Sequence, residues 1–264
     1  MNQQLKVQIV TLLFAFVLTG CFQSVDNETM AQTTEQKQAT PKGFAVVELF
    51  TSEGCSSCPP ADANLTRLVE IAHKNKLPIY ALSFHVDYWN YLGWKDPFSQ
   101  RQFTERQRAY ARALRSSRVY TPQMIVNGEK GFVGSNRRQA QEAILAAFKT
   151  APSASLQLVL KDATEGLQIS WKTKGMKAGD QINLALVEKT AERKVSAGEN
   201  EGRNLTHVNV VRLFKAIKSP SASGSTMMQT TEKVDWKKYR VVGYIQAPQT
   251  LQIKAATEAE LKPN

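Results

Sequence analysis

The chain has 264 residues, of which 42% are hydrophobic and 22% charged, and its formal net charge is +11. This is an ordinary soluble composition, with core enough for one large domain or two modest ones. The basic residues are spread along the chain, with no dense tract and no nucleic-acid motif, so the charge reads as a basic surface that favours acidic partners or anionic head groups, and no nucleic-acid partner is expected.

At the N-terminus, Lys6 precedes the apolar run VQIVTLLFAFVLTG and then Cys21. A charged start and a run of this length fit a secretory signal peptide over residues 1–20, and the run is too short for a comfortable membrane span. The tetrapeptide LTGC resembles the bacterial lipobox, in which the Cys is diacylated and becomes the new N-terminus. The alternative is a signal anchor with an incidental Cys. The lipobox reading places the protein in the cell envelope, lipid-anchored to a membrane at Cys21 and facing the periplasm. Phe22 in place of Asp favours the outer membrane over the inner. It also removes Cys21 from the thiols and sets the rest of the chain in an oxidising compartment. Residues 21–42 are polar and aperiodic and read as a flexible tether.

The first folded element is FAVVELF (Phe44–Phe50), an apolar run broken only by Glu48, which suits a buried parallel strand. After Cys55-Ser56-Ser57-Cys58, the spacing of Ala61, Leu65, Leu68, Val69 and Ala72 predicts a helix over about 59–74. LPIYALSF (Leu77–Phe84) is a second buried strand. The loop HVDYWNYLGWKDP leads into a helix over about 98–115, with Phe103, Tyr110 and Leu114 on one face. Its arginines, Arg101, Arg106, Arg108, Arg112 and Arg115, with Arg118 beyond, read as a solvated face, the alternative being that they hold an anionic partner near the sulfurs or favour the thiolate. QMIVN (Gln123–Asn127) and KGFVG (Lys130–Gly134) form a hairpin across Asn127-Gly128, followed by a helix over about 137–149.

From Ala151 the pattern changes. SLQLVLKD, GLQISWKT, QINLALVEK, THVNVVRLF and YRVVGYIQ alternate or run apolar over short stretches, with turn residues between. Five or more strands without helices predict a small antiparallel β-sandwich over 151–264, after an α/β domain over 43–150.

The two remaining cysteines, three positions apart, can be a staple, half a metal site or a redox pair. A disulfide closing so small a ring stabilises by about 2 kcal/mol, against about 3 for a fifteen-residue loop, so it is a poor staple. Structural zinc takes four ligands, and two cysteines with His73, His85 and His207 do not make a set, so no metal is expected. Redox chemistry fits the placement. A Cys at a helix N-terminus meets unpaired N–H groups and the positive end of the dipole, which stabilise the thiolate that attacks disulfides. Pro59 and Pro60 lose no hydrogen bonds in a first turn. No cofactor is needed beyond the pair itself.

The order β-α-β-α-β-β-α over residues 44–150, with the Cys55–Cys58 pair and Thr121-Pro122 directly before the third strand, resembles the thioredoxin fold. The segments FTSEGCSSCPPAD, HVDYWNYLGWKDPFS and YTPQMIVNG, with GENEGRNLTHVNVVR further on, resemble a family of secreted bacterial thioredoxin-like proteins of unknown function. The resemblance implies that Cys55 attacks and Cys58 resolves. It implies that Pro122 is cis and that Thr121 presents its backbone to an extended substrate. Ser-Ser between the cysteines and Gly54 before them depart from the commonest pattern and leave the direction of exchange open.

Accessory candidates are His85 and Asp87, just past a strand end, and Trp89; His85 can move protons and Asp87 can orient it. The bland reading is a packed loop. Glu199, Arg203, His207 and Asn209 read as the polar lining of a contact between the two domains, with a pocket as the alternative. The expected function is thiol–disulfide exchange with protein thiols or disulfides, reset by a membrane redox partner. The alternatives are a binding or scaffolding lipoprotein with an inert disulfide, and a reductase of small peroxides or thiol conjugates.

Overall fold

A computed structural model describes residues 40–230 and 234–261. The segments expected to be a signal peptide and a tether, with the expected lipidation site at Cys21, lie outside the described residues but for the tether's last residues.

The first half follows the expected order. It consists of β1 (Ala45–Thr51), α1 (Pro59–Asn75), β2 (Ile79–His85), α2 (Arg101–Ala113), β3 (Gln123–Val126), β4 (Lys130–Val133) and α3 (Arg137–Ala147). Strand β1 pairs parallel with β2 and antiparallel with β3. Its alternate residues feed two cores. Val47 and Leu49 pack against Ala61, Leu65 and Leu68 of α1 and Ile144 of α3. Val46 and Phe50 join Phe84, Phe103 and Tyr110 on the other side. Helices cover both faces, which is why β1 reads as a nearly unbroken apolar run.

The second half comprises β5 (Ser155–Ala163), β6 (Gly166–Lys174), β7 (Gln181–Lys194), β8 (Asn204–Lys218), β9 (Ser223–Gln229), β10 (Tyr239–Gln246) and β11 (Ile253–Ala259). The expected β-sandwich is found in part: Leu156, Leu167 and Ile169 pack on Ile182, Leu184 and Leu186 of β7, but the sandwich is not a separate domain. Only β5, β6 and β9 form a separate antiparallel sheet. The other four strands extend the first sheet into an eight-stranded one, ordered β11-β10-β7-β8-β2-β1-β3-β4. The seam is a short parallel contact in which Ser83 of β2 faces Val210 of β8. The physical reason lies in β7, where Ile182–Val187 are all buried. A sandwich strand buries one face, whereas these residues need cover on both. The described residues accordingly form one compact unit.

Aromatic packing binds the seam. Phe84 of β2 stacks on Phe50 at 5.6 Å and meets Phe214 of β8 edge-on at 5.5 Å. Beside them lies a second departure from expectation. Arg106 points inward, its side chain 8% exposed, and binds Glu48 through both ends of the carboxylate at 2.6 and 2.8 Å. The Tyr110 hydroxyl donates to the same carboxylate at 2.7 Å. Four rings, Phe84, Tyr110, Phe214 and Tyr244, surround the guanidinium at 4.9–5.6 Å. The planar, weakly hydrated guanidinium suits such a site. Arg101, Arg108, Arg112, Arg115 and Arg118 are exposed, as a solvated face requires.

Candidate functional site

Cys58 caps the N-terminus of α1, with proline at the first helical positions. Its carbonyl accepts the N–H groups of Ala61 and Asp62 at 2.8 and 3.1 Å. Cys55 lies one turn earlier. Both are free thiols, and neither has exposed surface.

Three polar groups converge on the Cys55 sulfur. The Thr121 hydroxyl donates to it at 3.3 Å. That hydroxyl accepts the Trp89 indole N–H at 2.7 Å, so its own proton is left to point at the sulfur. The Ser57 hydroxyl lies at 3.3 Å. A hydrogen bond from the Cys58 thiol, with further ones from Ser57 and Thr121, brings the Cys55 pKa down from 9.0 to about 6, although burial acts against it. For Cys58 burial dominates and raises the pKa strongly; the charges of Cys55 and Asp62 add to it. The pair is thus split into a ready thiolate and a reluctant thiol. The Thr121-Pro122 peptide is cis. Gly54 allows a close approach, since a Cβ there would sit 3.2 Å from the Trp89 Cβ.

Behind the sulfurs lies a buried polar cluster that composition gave no reason to expect. Asp62 is one helical turn after Cys58, on the same face of α1. Its carboxylate is 3.8 Å from Nδ1 of His207, and the other nitrogen of that ring, Nε2, is 3.2 Å from Glu53. The Glu53 carboxylate accepts the Trp94 indole N–H at 2.9 Å, and its backbone N–H donates to Asp96 at 2.9 Å. Asp96 also holds His85 through Nδ1 at 2.7 Å. The two imidazoles meet edge to face at 4.7 Å. Burial pushes the Asp62 pKa from 3.8 up to about 7, against the opposing pull of His207. Burial acts the same way on Asp96, but the charge and hydrogen bond of His85 hold it below the usual carboxylate range. The Thr51 hydroxyl lies within reach of both the Cys58 thiol and the Asp62 carboxyl and lowers the pKa of each, without a hydrogen bond of ordinary geometry.

The second half of the chain completes the site. The loop between β7 and β8 closes on itself through Val195 N–H to Arg203 O and Gly202 N–H to Val195 O, both 2.9 Å. Within it, the buried Asn200 amide donates to the carbonyls of Glu53 and Cys55 at 2.8 and 2.9 Å. The Glu199 carboxylate accepts the Ser56 N–H at 2.9 Å. Gly198 takes a positive φ of 78° where the loop meets Leu92 and Trp94.

Cys55, Cys58, Thr121, Pro122 and Trp89 thus come together. His85 lies in the deeper cluster. Asp87 does not orient it: its carboxylate accepts the Thr104 hydroxyl at 2.5 Å, and Asp96 takes the role at His85. His207 joins the deeper cluster through Glu53 and Asp62, Glu199 binds the Ser56 N–H beside Cys55, Asn209 bonds the Ala81 carbonyl at 3.1 Å, and Arg203 is exposed. Sequence reasoning missed Asp62, Glu53 and Asp96. Only Asp62 carried a usable signal, its i+4 spacing from Cys58. Among the described residues no group of three or more His, Cys, Asp or Glu side chains is arranged to hold a metal ion.

A mixed sheet with a cysteine pair at a helix N-terminus, closed over by a β-hairpin loop, defines the class of site. Residues 46–246 match a family model described as a protein of unknown function (DUF1223), and the chain belongs to that family. A crystal structure of a protein from Agrobacterium tumefaciens is similar, with 28% identity, a TM-score of 0.63, and coverage of 86% of this chain and all of that one. HBP35 of Porphyromonas gingivalis is similar in fold, with 13% identity, a TM-score of 0.62, and coverage of 83% of this chain and 76% of that one. No curated protein matches the chain.

Proposed function

We propose that this protein is a thiol–disulfide exchange protein on a thioredoxin-like core, β1 through α3, acting at the Cys55–Cys58 pair. The observation that carries the reading is the opposed setting of the two sulfurs: Cys55 is held toward thiolate by converging donors, while Cys58 is kept protonated beside a buried carboxyl. The Cys55 thiolate attacks a substrate disulfide and forms a mixed disulfide, and the departing sulfur leaves with the bonding electron pair. The Cys58 thiol then passes its proton to the Asp62–His207 pair and attacks the Cys55 sulfur. The second substrate sulfur leaves as a thiolate. The substrate gains two electrons and the pair becomes a disulfide; run in reverse, the pair oxidises a dithiol. Protein thiols or disulfides are the proposed substrates, with a membrane redox partner resetting the pair. Lipid anchoring at Cys21, on the periplasmic side of the envelope and preferably at the outer membrane, belongs to the same reading. Among the described residues no helix is long and apolar enough to cross a membrane.

The complete burial of both sulfurs favours a second reading, a binding protein with an inert pair. A trapping experiment separates the two. With Cys58→Ala, non-reducing gels are expected to show covalent adducts that vanish when Cys55→Ala is added. A trap that stays empty, together with a thiolate absorbance midpoint no lower than that of a free cysteine, removes the exchange reading.

A further inference from the structure

Glu199 has an exposed side chain, yet its position is set closely. Its carboxylate accepts the N–H of Ser56, the residue next to Cys55, at 2.9 Å. Asn200, the following residue, is fully buried and tied to the carbonyls of Glu53 and Cys55, so the base of the Glu199 side chain is fixed. Ser56 and Ser57 are the exposed members of the Cys55–Cys58 segment. Glu199 is therefore bound at a solvent-facing residue directly beside Cys55. The hydrogen bonds from the backbone and side chain of Ser56 hold the Glu199 pKa below its usual 4.5, whereas Cys55 ionises at about 6. Glu199 is thus charged wherever Cys55 is a thiolate. The other acids of the site, Glu53, Asp62 and Asp96, are buried behind the sulfurs.

We propose that Glu199 is a charge filter over the Cys55 sulfur, selecting thiols and disulfides that are neutral or cationic near the reacting sulfur and disfavouring those that carry a carboxylate there. A second negative charge already resides on the thiolate, so an anionic partner meets two like charges, whereas a cationic one is drawn to both. On a chain of net charge +11, this acid runs against the general surface and discriminates locally. The consequence for substrates rests on the exchange reading above; the filter can be measured without it.

The test compares iodoacetate with iodoacetamide on the reduced full chain, following Cys55 by peptide mass. Both reagents lose iodide to the thiolate, so their rate ratio cancels the thiolate fraction. Glu199→Gln keeps an oxygen acceptor for Ser56 and removes the charge. It is expected to raise the iodoacetate-to-iodoacetamide ratio about three- to tenfold at low salt, with the gain shrinking as salt is added. Glu201→Gln, an exposed acid on the same loop, is expected to leave the ratio unchanged. An unchanged ratio in Glu199→Gln, an equal rise for both reagents, or the same gain from Glu201→Gln overturns the filter. Failure of the exchange reading looks different: the wild-type iodoacetamide rate titrates like a free cysteine, while the ratio still reports on Glu199.

Discussion

Two buried polar clusters join the halves of this molecule, and they are built to opposite ends. Glu48 and Arg106 make a bidentate ion pair, closed by Tyr110 and by Gln246, whose amide nitrogen donates to the Tyr110 hydroxyl at 2.9 Å and whose oxygen accepts from Asn183 at 2.7 Å. Only the Tyr244 hydroxyl beside it lacks a partner. The cluster behind the cysteines leaves His85 Nε2, His207 Nδ1 and the Thr51 hydroxyl without hydrogen bonds. Its Asp62 carboxyl has a pKa of about 7, where a proton is easily gained or lost. A polar network with its partners supplied holds two halves in register. One with unpaired donors and acceptors costs more to bury, and titratable groups so placed gather where protonation changes, as the proposed exchange at Cys55 would use.

The contrast can be broken at either cluster. Arg106→Ala leaves Glu48 buried and unpaired, and the expected loss is about 3–5 kcal/mol in denaturant unfolding. Replacing both residues by apolar ones of similar volume is expected to recover much of that. Asp62→Asn is expected to spare the attack by Cys55 but slow release of the mixed disulfide about 100-fold in stopped-flow, because the resolving thiol loses its proton acceptor. The same change alters the pH dependence of stability. A carboxyl whose pKa rises from 3.8 unfolded to about 7 folded contributes stability that is fully present below pH 3.8 and is lost as pH rises through 7. Urea midpoints should therefore fall between pH 5 and pH 8 with Asp62 and stay flatter with Asn. The comparison belongs in a Cys55→Ala background, since the lowered Cys55 pKa gives the opposite slope between about 6 and 9.

Smaller effects sharpen the picture. Asn200→Ala removes two buried hydrogen bonds and is expected to cost about 1–2 kcal/mol. It should also speed iodoacetamide labelling of Cys55, as the loop over that sulfur loosens. Thr121→Val deletes one donor to the thiolate and should raise its absorbance midpoint by about half a pH unit.

The elements of the first half were legible because each follows from a local rule. Alternate residues of β1 had to be buried on both faces, apolar residues recur along α1 at helical spacing, and Asn127-Gly128 marks the β3–β4 turn. The placement of Thr121 beside the cysteine pair followed from no local rule and was implied only by the resemblance to the thioredoxin fold. After residue 151 five of the strands were read and β9 and β11 were missed, and the sheet those strands joined was not legible. A strand's pattern reports how much of it is buried and carries no record of which neighbour buries it.

The sequence by itself placed the helices and most of the strands and set two cysteines at the start of a helix, whereas the lowered Cys55 pKa and the raised Cys58 pKa come chiefly from the side chains of Cys58, Ser57 and Thr121 and from burial. Only the tertiary structure decided that β8 docks beside β2, and with it that His207 meets Asp62, that Glu199 reaches Ser56, and that Arg106 turns inward to Glu48. These pairs lie 58 to 145 residues apart along the chain. Contacts across such distances form because the fold brings burial and charge together in space, and no local spacing encodes them.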